Sequence, residues 1–265
     1  MRSTRACLLP LALLLLPPGA AATAAPPHDL HGYTGEAYAR DGRLLYREQH
    51  LIWRQHGRTQ QLVLYRCPDG SVFARKHLHA DGDAATPQFR LRDAANGQGV
   101  SVQRDGARIL VRYRAHSGAP VHERALPLPA HAIIDAGFDA YVLRHWESLL
   151  SGVTLHVRFP VPSRREWMDF TVRRVDNARA AASGSVSFRL RLGSWFAFLL
   201  PHVDVRYRRA DRRLLDYRGP SNLSDARGGN PWVDIRFPAH QVHAELPAKT
   251  LAQAAAAALG GSCRL

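Results

Sequence analysis

The histidines are the first side chains to consider for chemistry, and His77 and His79 have the spacing that most resembles a metal site. Two imidazoles separated by one residue lie on the same face of a strand, and imidazole binds zinc, copper and nickel. The chain has 14 histidines, but no third ligand stands at a recognisable spacing from this pair. We therefore interpret His77 and His79 as a solvent-facing pair and predict no metal site.

Residues suited to covalent or acid–base catalysis are present, but their spacing predicts no site. Ser221 follows Gly219, yet a nucleophile elbow needs Gly-x-Ser-x-Gly, and Leu223 occupies the place of the second glycine. Glu147 is interpreted as a surface charge or a partner of Arg144. No two carboxylates share an apolar stretch that would separate their pKa values. We predict no catalytic residue and no cofactor, and a site assembled from distant strands stays open.

Residues 195–200 form the most unusual local pattern of the chain. Trp195, Phe198 and their neighbours are apolar on both faces of the segment, which Pro201 ends. Two interpretations stay open. The run is either a segment buried on all sides, or a mobile hydrophobic segment at the mouth of a cavity or on a membrane surface.

The elements that must position these residues are mostly short strands. Turn signals such as Asp69-Gly70 and Asn96-Gly97 recur at close intervals. The segments between them have strand composition or alternate apolar with polar residues. Strands are predicted at 44–53, 61–67, 72–79, 89–92, 109–114, 153–159, 186–192, 203–207 and 233–237. A sheet that is apolar on one side and arginine-lined on the other is antiparallel and covered on one face only.

One principal helix is predicted at residues 135–151. Phe138, Tyr141 and Trp146 belong to an apolar stripe with a 3.6-residue period, and Asp135 is placed to cap its N-terminus. Such a stripe must be buried against the sheet. The predicted fold class is therefore mostly β, with ten to twelve strands. A strongly curved antiparallel sheet or open half-barrel packs on this helix.

The N-terminal 24 residues have the pattern of a secretory signal peptide. Arg2 and Arg5 precede the apolar run 8–16, and Ala22-Thr23-Ala24 offers a small-residue cleavage site. The run is too short to span a bilayer, so we expect a periplasmic or secreted protein without a transmembrane helix in the mature chain.

The rest of the chain is predicted to form one domain. We expect a disordered N-terminus at 25–31, a single β-rich domain at 32–247, and a C-terminal helix and tail at 248–265. Thr250 to Leu259 is rich in alanine and has little side chain to bury. That helix is therefore expected to dock weakly or to fray.

Charge and cysteine content limit the partners. Without the leader the formal net charge falls from +14 to +12, and nearly all of the positive charge is arginine. The excess either reflects compositional bias or attracts anionic envelope surfaces, whereas nucleic acid is a poor partner for an exported chain without a recognition motif.

Cys7 leaves with the leader. Cys67 and Cys263 remain, an even count in an oxidising compartment, and whether they pair stays open.

Three stretches resemble exported bacterial proteins of unknown function that are related to curved-sheet lipoprotein carriers of the LolA and LolB type. These stretches are Gly35 to Glu48, Tyr65 to Lys76 and Tyr217 to Asp225. The resemblance implies a strongly bent antiparallel sheet wrapped over helices. It also implies an apolar cavity on the concave side of that sheet.

The leading functional prediction is a non-catalytic envelope protein that holds a hydrophobic or amphipathic ligand between sheet and helix. The candidate pocket residues are Phe138, Tyr141, Trp146, Phe159, Phe188, Trp195 and Phe198. The alternative is a structural or interaction module whose arginine-rich face meets anionic envelope surfaces. A third possibility is an envelope hydrolase, which would show a buried cluster of histidine and carboxylate side chains. The pattern indicates no oligomeric state.

Overall fold

The computed structural model describes residues 26–175, 183–193, 202–225, 227–263 and 265. The predicted leader at 1–24 and the apolar run at 195–200 lie outside the described residues. Within them, strands dominate the chain and form a single antiparallel sheet.

Fifteen strands are present in the described part of the chain. The first eight are β1 (His28–Tyr38), β2 (Leu44–Gln55), β3 (Arg58–Arg66), β4 (Val72–Ala80), β5 (Gln88–Asp93), β6 (Gly99–Asp105), β7 (Arg108–Arg114) and β8 (His122–Pro127). The others are β9 (Leu155–Val161), β10 (Glu166–Val175), β11 (Ser185–Leu192), β12 (Val203–Arg208), β13 (Leu214–Pro220), β14 (Trp232–Arg236) and β15 (Val242–His243). Their order is β8-β7-β6-β5-β4-β3-β2-β1-β14-β13-β12-β11-β10-β9, and β15 pairs with β1. Two meanders therefore meet where β1 pairs with β14.

The sheet bends so strongly that its two ends touch without pairing as strands. The Trp167 indole N–H on β10 donates to the carbonyl of Pro127 on β8, at 2.8 Å. The segment after β8 also reaches β9, where the Arg158 N–H donates to the His131 carbonyl and the Ile133 N–H donates to the Arg158 carbonyl. The predicted fold class, a mostly β protein built on a curved antiparallel sheet, is confirmed.

The predicted helix at 135–151 is two short helices, α1 (Gly137–Arg144) and α2 (Trp146–Leu150), with a break at His145. Asp135 does not cap α1 with its side chain, because it lies one residue before the N-cap with a φ of 46°. The predicted apolar stripe does face the sheet. It packs against β9–β12 through the buried side chains of Phe138, Tyr141, Val142, Trp146, Leu149, Phe188 and Tyr207.

One prediction about the termini is wrong. Residues 28–31, expected to be disordered, belong to β1, where Leu30 is buried and its carbonyl accepts a hydrogen bond from the Leu246 N–H. The predicted C-terminal helix is α3 (Ala248–Ala256). It covers the outer face of β2–β4, where Ala254 packs in a cluster with Leu51 and Leu62.

Side-chain and covalent contacts hold the C-terminal region in place. The Arg75 guanidinium donates to the carbonyls of Ala254 and Ala257 at the end of α3. A disulfide joins Cys67, just after β3, to Cys263 in the tail, with the two Cα atoms 5.5 Å apart. The bridge connects positions 196 residues apart in the chain, so an early strand and the C-terminus form one unit.

Candidate functional site

A cavity of about 610 Å³ lies between the concave face of the sheet and the start of α1. Strands β1–β4 and β11–β14 supply most of its walls. One set of lining residues is apolar and includes Phe138, Phe159, Leu190, Val203, Val205 and Ile235. The other set is polar and includes Tyr33, Glu48, His50, Tyr65, Lys76 and Asp135. The volume lies within the range of about 300–1,000 Å³ that is usual for ligand sites.

A buried ion pair forms part of the polar wall. Alternation along β4 directs Lys76 inward, on the same face as Ala74 and Leu78, so its ammonium group ends inside the sheet. The Lys76 ammonium donates to the Asp135 carboxylate at 2.7 Å, and the two side chains are only 7% and 15% exposed. Burial is the largest single effect and lowers the pKa of Lys76, but Asp135, Tyr65 and Glu48 together raise it by more, so the pKa lies above its usual value. Lys76 is therefore a charged, paired lysine and not a nucleophile.

Glu48 and His50 form a second polar pair on the neighbouring strand β2. The His50 Nε2 lies 3.2 Å from the Glu48 carboxylate, and the His50 Nδ1 lies 2.9 Å from the Gln61 amide nitrogen. The Tyr33 ring stacks on the imidazole with a centroid distance of 4.4 Å. With Gln61 donating to Nδ1, the proton lies on Nε2 and points to Glu48. Both ring nitrogens are therefore already used.

Tyrosine hydroxyls supply the remaining hydrogen-bonding groups of the wall. Tyr46 shares a 2.9 Å hydrogen bond with Ser221, and the Asn222 amide donates to the Tyr65 hydroxyl at 3.1 Å. Tyr217 donates to the Pro220 carbonyl at 2.7 Å. Burial raises the pKa of all three phenols well above the ordinary value. They therefore stay protonated and serve as neutral donors and acceptors.

Asp139 is the third carboxylate of the site, beside Glu48 and Asp135. It lies in the first turn of α1 and lines the cavity, where the Tyr207 hydroxyl donates to it at 2.9 Å. The protein around it raises its pKa by desolvation, and the hydrogen bond from Tyr207 offsets only part of that effect. Asp139 thus offers a polar anchor on the cavity wall.

The candidate pocket residues divide into three groups. Phe138 and Phe159 line the cavity. Tyr141, Trp146 and Phe188 do not, because they fill the core between the helices and β9–β12. Trp195 and Phe198 lie outside the described residues. Aromatic residues of the helices and of the strands that face them did not distinguish the cavity wall from the core, because both are built from the same residue types.

The polar wall was missed from the sequence, although one signal pointed to it. Lys76 is one of only two lysines in the chain, and it stands between Ala74 and Leu78 on the inward register of a strand. A charged side chain at an apolar register must be paired, because an unpaired buried charge is strongly unfavourable. Its partner Asp135 lies 59 residues away, and only the fold brings the two together.

The site has the histidine and carboxylate that a hydrolase would need, but its geometry does not assemble a catalytic group. Neither nitrogen of His50 contacts a hydroxyl nucleophile. Ser221 instead shares a hydrogen bond with Tyr46 and accepts one from the Leu223 N–H at 3.1 Å, which stabilises a local turn. Within the described residues, no three histidine, cysteine, aspartate or glutamate side chains are grouped so as to hold a metal ion.

Comparisons with known proteins add little beyond the fold. No protein-family model matches the chain, and no curated protein matches it. The chain is similar to a solved β-barrel-like protein of the domain of unknown function DUF1849 from Brucella abortus. The TM-score is 0.45 at 8% sequence identity, over 82% of this chain and 98% of that chain. Because fewer than one residue in ten is identical, this similarity says nothing about ligand or activity.

The described residues define the class of protein as a β-rich, barrel-like fold with a large cavity on the concave side of its sheet. No helix within them combines the length and the apolar character that crossing a membrane requires.

Proposed function

We propose that this chain is a non-catalytic envelope protein that binds an amphipathic ligand in the cavity between the sheet and α1. The observation that carries this proposal is the two-sided composition of the cavity wall. An apolar side and a polar side enclose the same space of about 610 Å³. A purely structural core would be expected to fill such a space with side chains.

The apolar side suits the hydrocarbon part of a ligand. Phe138 comes from α1, Phe159 from β9 and Val205 from β12, so three separate elements contribute to one surface. Burying a ligand's apolar surface there is favourable by about 25 cal/mol per Å². Pre-formed apolar walls on rigid strands also keep the ordering cost of binding small.

The polar side suits a head group that exchanges hydrogen bonds. Lys76 is already paired with Asp135, and Glu48 is already hydrogen-bonded to His50. Asp139 and the tyrosine hydroxyls retain capacity for a ligand. This arrangement favours an amphipathic molecule over a pure hydrocarbon, because a hydrocarbon could not use the remaining hydrogen-bonding capacity of those polar groups.

The cellular context of the proposal comes from the sequence. The signal-peptide pattern at 1–24 supports export to the periplasm or beyond. The resemblance of three stretches to curved-sheet lipoprotein carriers supports a role in holding a lipid-like molecule on the concave side of the sheet. The Cys67–Cys263 bridge suits an oxidising compartment.

Ligand recovery from the exported protein tests the proposal. The full chain is expressed with its leader, purified from the periplasm without detergent, and studied by native mass spectrometry and by analysis of its organic extract. We expect one bound molecule per chain. In parallel, the purified protein is titrated with N-phenyl-1-naphthylamine, an uncharged apolar fluorophore, and we expect saturable binding.

A blocking variant ties the binding to this cavity. Ala136 is exposed, lines the cavity and precedes α1, so Ala136→Trp fills the space without replacing a core side chain. Ser148→Trp is the matched control, because Ser148 is exposed on α2 and does not line the cavity. We expect Ala136→Trp to lose both the extracted ligand and the fluorophore, and Ser148→Trp to keep them. A clean wild-type protein that binds no fluorophore would overturn the proposal.

A further inference from the structure

The outer face of the sheet is divided into two electrostatically different halves. On β11–β14, arginines and aspartates alternate across neighbouring strands. One row runs Arg189, Asp204, Arg218, Asp234, and the next runs Arg206, Asp216, Arg236. The arginines meet the aspartates directly, for example Arg189 with Asp204 at 2.6 Å and Arg218 with Asp234 at 3.4 Å. This half therefore neutralises most of its own charge.

The outer face of β4–β7 has no such compensation. One row across these strands runs Arg75, Arg92, Gly99, Arg114, and the next runs His77, Arg90, Ser101, Arg112. We call the five arginines of these two rows the β4–β7 patch; at its edge, Arg75 also donates to carbonyls at the end of α3. Within the described residues, Arg112 of the patch pairs with the acidic Glu123 on β8. Two small residues, Gly99 and Ser101, lie at the centre of the two rows.

The two central arginines are free to contact a partner. Arg90 and Arg92 are exposed on β5, and neither side chain makes an ion pair or a hydrogen bond with the described part of the chain. The positive charge of the patch also affects His77, which lies beside it. Desolvation is the main cause that lowers the pKa of His77, and the charges of Arg75 and Arg90 lower it further. Arg90 and Arg92 thus concentrate positive charge here without an ion-pair partner among the described residues.

We infer that the β4–β7 patch is a docking surface for an anionic phospholipid bilayer. The arginines span four strands, about 14 Å at the usual strand spacing, and they lie on the outside of a sheet instead of converging in a pocket. A spread array of this kind matches a plane of phosphates better than a single small anion. The surface is separate from the cavity, so this inference goes beyond the proposed ligand binding.

An apolar residue beside the patch supports a lipid surface over a dissolved anion. Val121 is 61% exposed, the most exposed of the large hydrophobic residues in the described chain. It follows the β7–β8 turn, which lies against the β5–β6 turn through a hydrogen bond from the Ser117 N–H to the Asn96 carbonyl. The Arg114 guanidinium donates to the Gly97 carbonyl at the same end. A basic array with an apolar side chain at its edge is suited to the interface of a membrane.

Vesicle co-sedimentation tests the inference. The purified full chain is mixed with vesicles of phosphatidylcholine alone or with added phosphatidylglycerol, over a series of salt concentrations. We expect binding only to the anionic vesicles and a steep loss of binding as salt rises, because exposed charges are screened. The Arg90→Gln/Arg92→Gln double variant should bind roughly 10- to 30-fold more weakly.

A charge-matched control separates a docking surface from net charge. Arg54→Gln/Arg173→Gln removes two exposed arginines from β2 and β10, away from the patch, and should weaken vesicle binding by less than about threefold. Equal losses in both double variants would overturn the inference. So would the absence of binding to anionic vesicles, or equally tight binding of soluble polyphosphate. Ala136→Trp should bind vesicles like the wild type, so failure of the cavity proposal would be seen separately.

Discussion

The buried Lys76–Asp135 ion pair makes a quantitative prediction about stability. Lys76→Met removes the ammonium group and keeps the length of the side chain. Asp135→Asn removes the negative charge and suits the backbone, because asparagine, like aspartate, tolerates the φ of 46° at this position. With side chains 7% and 15% exposed, each single variant leaves a charge that water solvates poorly. Breaking such a pair costs about 3–5 kcal/mol.

The surroundings of the pair predict which variant is worse. Without Lys76, the carboxylates of Glu48, Asp135 and Asp139 all line the cavity with no lysine near them. Without the Asp135 charge, Lys76 still interacts with Glu48. We therefore expect Lys76→Met to lose about 5 kcal/mol of unfolding free energy and Asp135→Asn about 3 kcal/mol.

A double-mutant cycle checks the reasoning. Unfolding in urea is followed by tryptophan fluorescence with the disulfide intact. The double variant should lose less than either single variant, which with single losses of about 5 and 3 kcal/mol corresponds to a coupling energy of at least about 5 kcal/mol. Additive losses, or a loss below about 1 kcal/mol in Lys76→Met, would refute the assignment of a buried, coupled pair.

Three further predictions concern other parts of the fold. Desolvation on the cavity wall raises the pKa of Asp139, so its stabilising effect is complete at low pH and is lost as pH rises through the folded-state pKa. Asp139→Asn should therefore melt like the wild type near pH 4, about the ordinary pKa of aspartate, and at higher temperature near pH 8; a lower melting temperature near pH 8 would contradict this. Gly137→Ala should cost about 1–3 kcal/mol in urea unfolding, because an added Cβ would lie 2.1 Å from the Ala85 carbonyl oxygen, and a gain in stability would be inconsistent with that contact. Cys263→Ser should lose up to about 5 kcal/mol, the loop-entropy limit for its bridge to Cys67, and a reducing agent should abolish the difference from the wild type.

The fold class was predictable because local signals agree with the global structure. Gly70 and Gly97 have φ values of 91° and 83°, as the Asp-Gly and Asn-Gly turn signals indicate. The helix stripe faces the sheet as its period requires. Strand number was underestimated because strands such as β8, with exposed His122 and Glu123, carry few apolar residues.

The cavity wall was not predictable because a distant element changes which face of a strand is buried. On β2, Leu51 is buried on the outer face under α3, whereas Glu48 and His50 point into the cavity. A rule of one apolar face and one solvated face places these residues on the wrong sides. The helix that covers the outer face of β2 begins at Ala248, about 200 residues further along the chain. The local periodicity of β2 therefore cannot predict that this face is buried.

Strand register links the two surfaces that we propose to be functional. On β4, Arg75 and His77 face outward toward the arginine rows, and Lys76 between them faces the cavity. Because side chains alternate with a period of two, a slip of one residue would bury Arg75 and expose Lys76. The Lys76–Asp135 pair opposes such a slip, since it forms only in the observed register. The same ion pair therefore stabilises the cavity wall and keeps the outer arginines exposed, although ligand and membrane would meet opposite faces of the sheet.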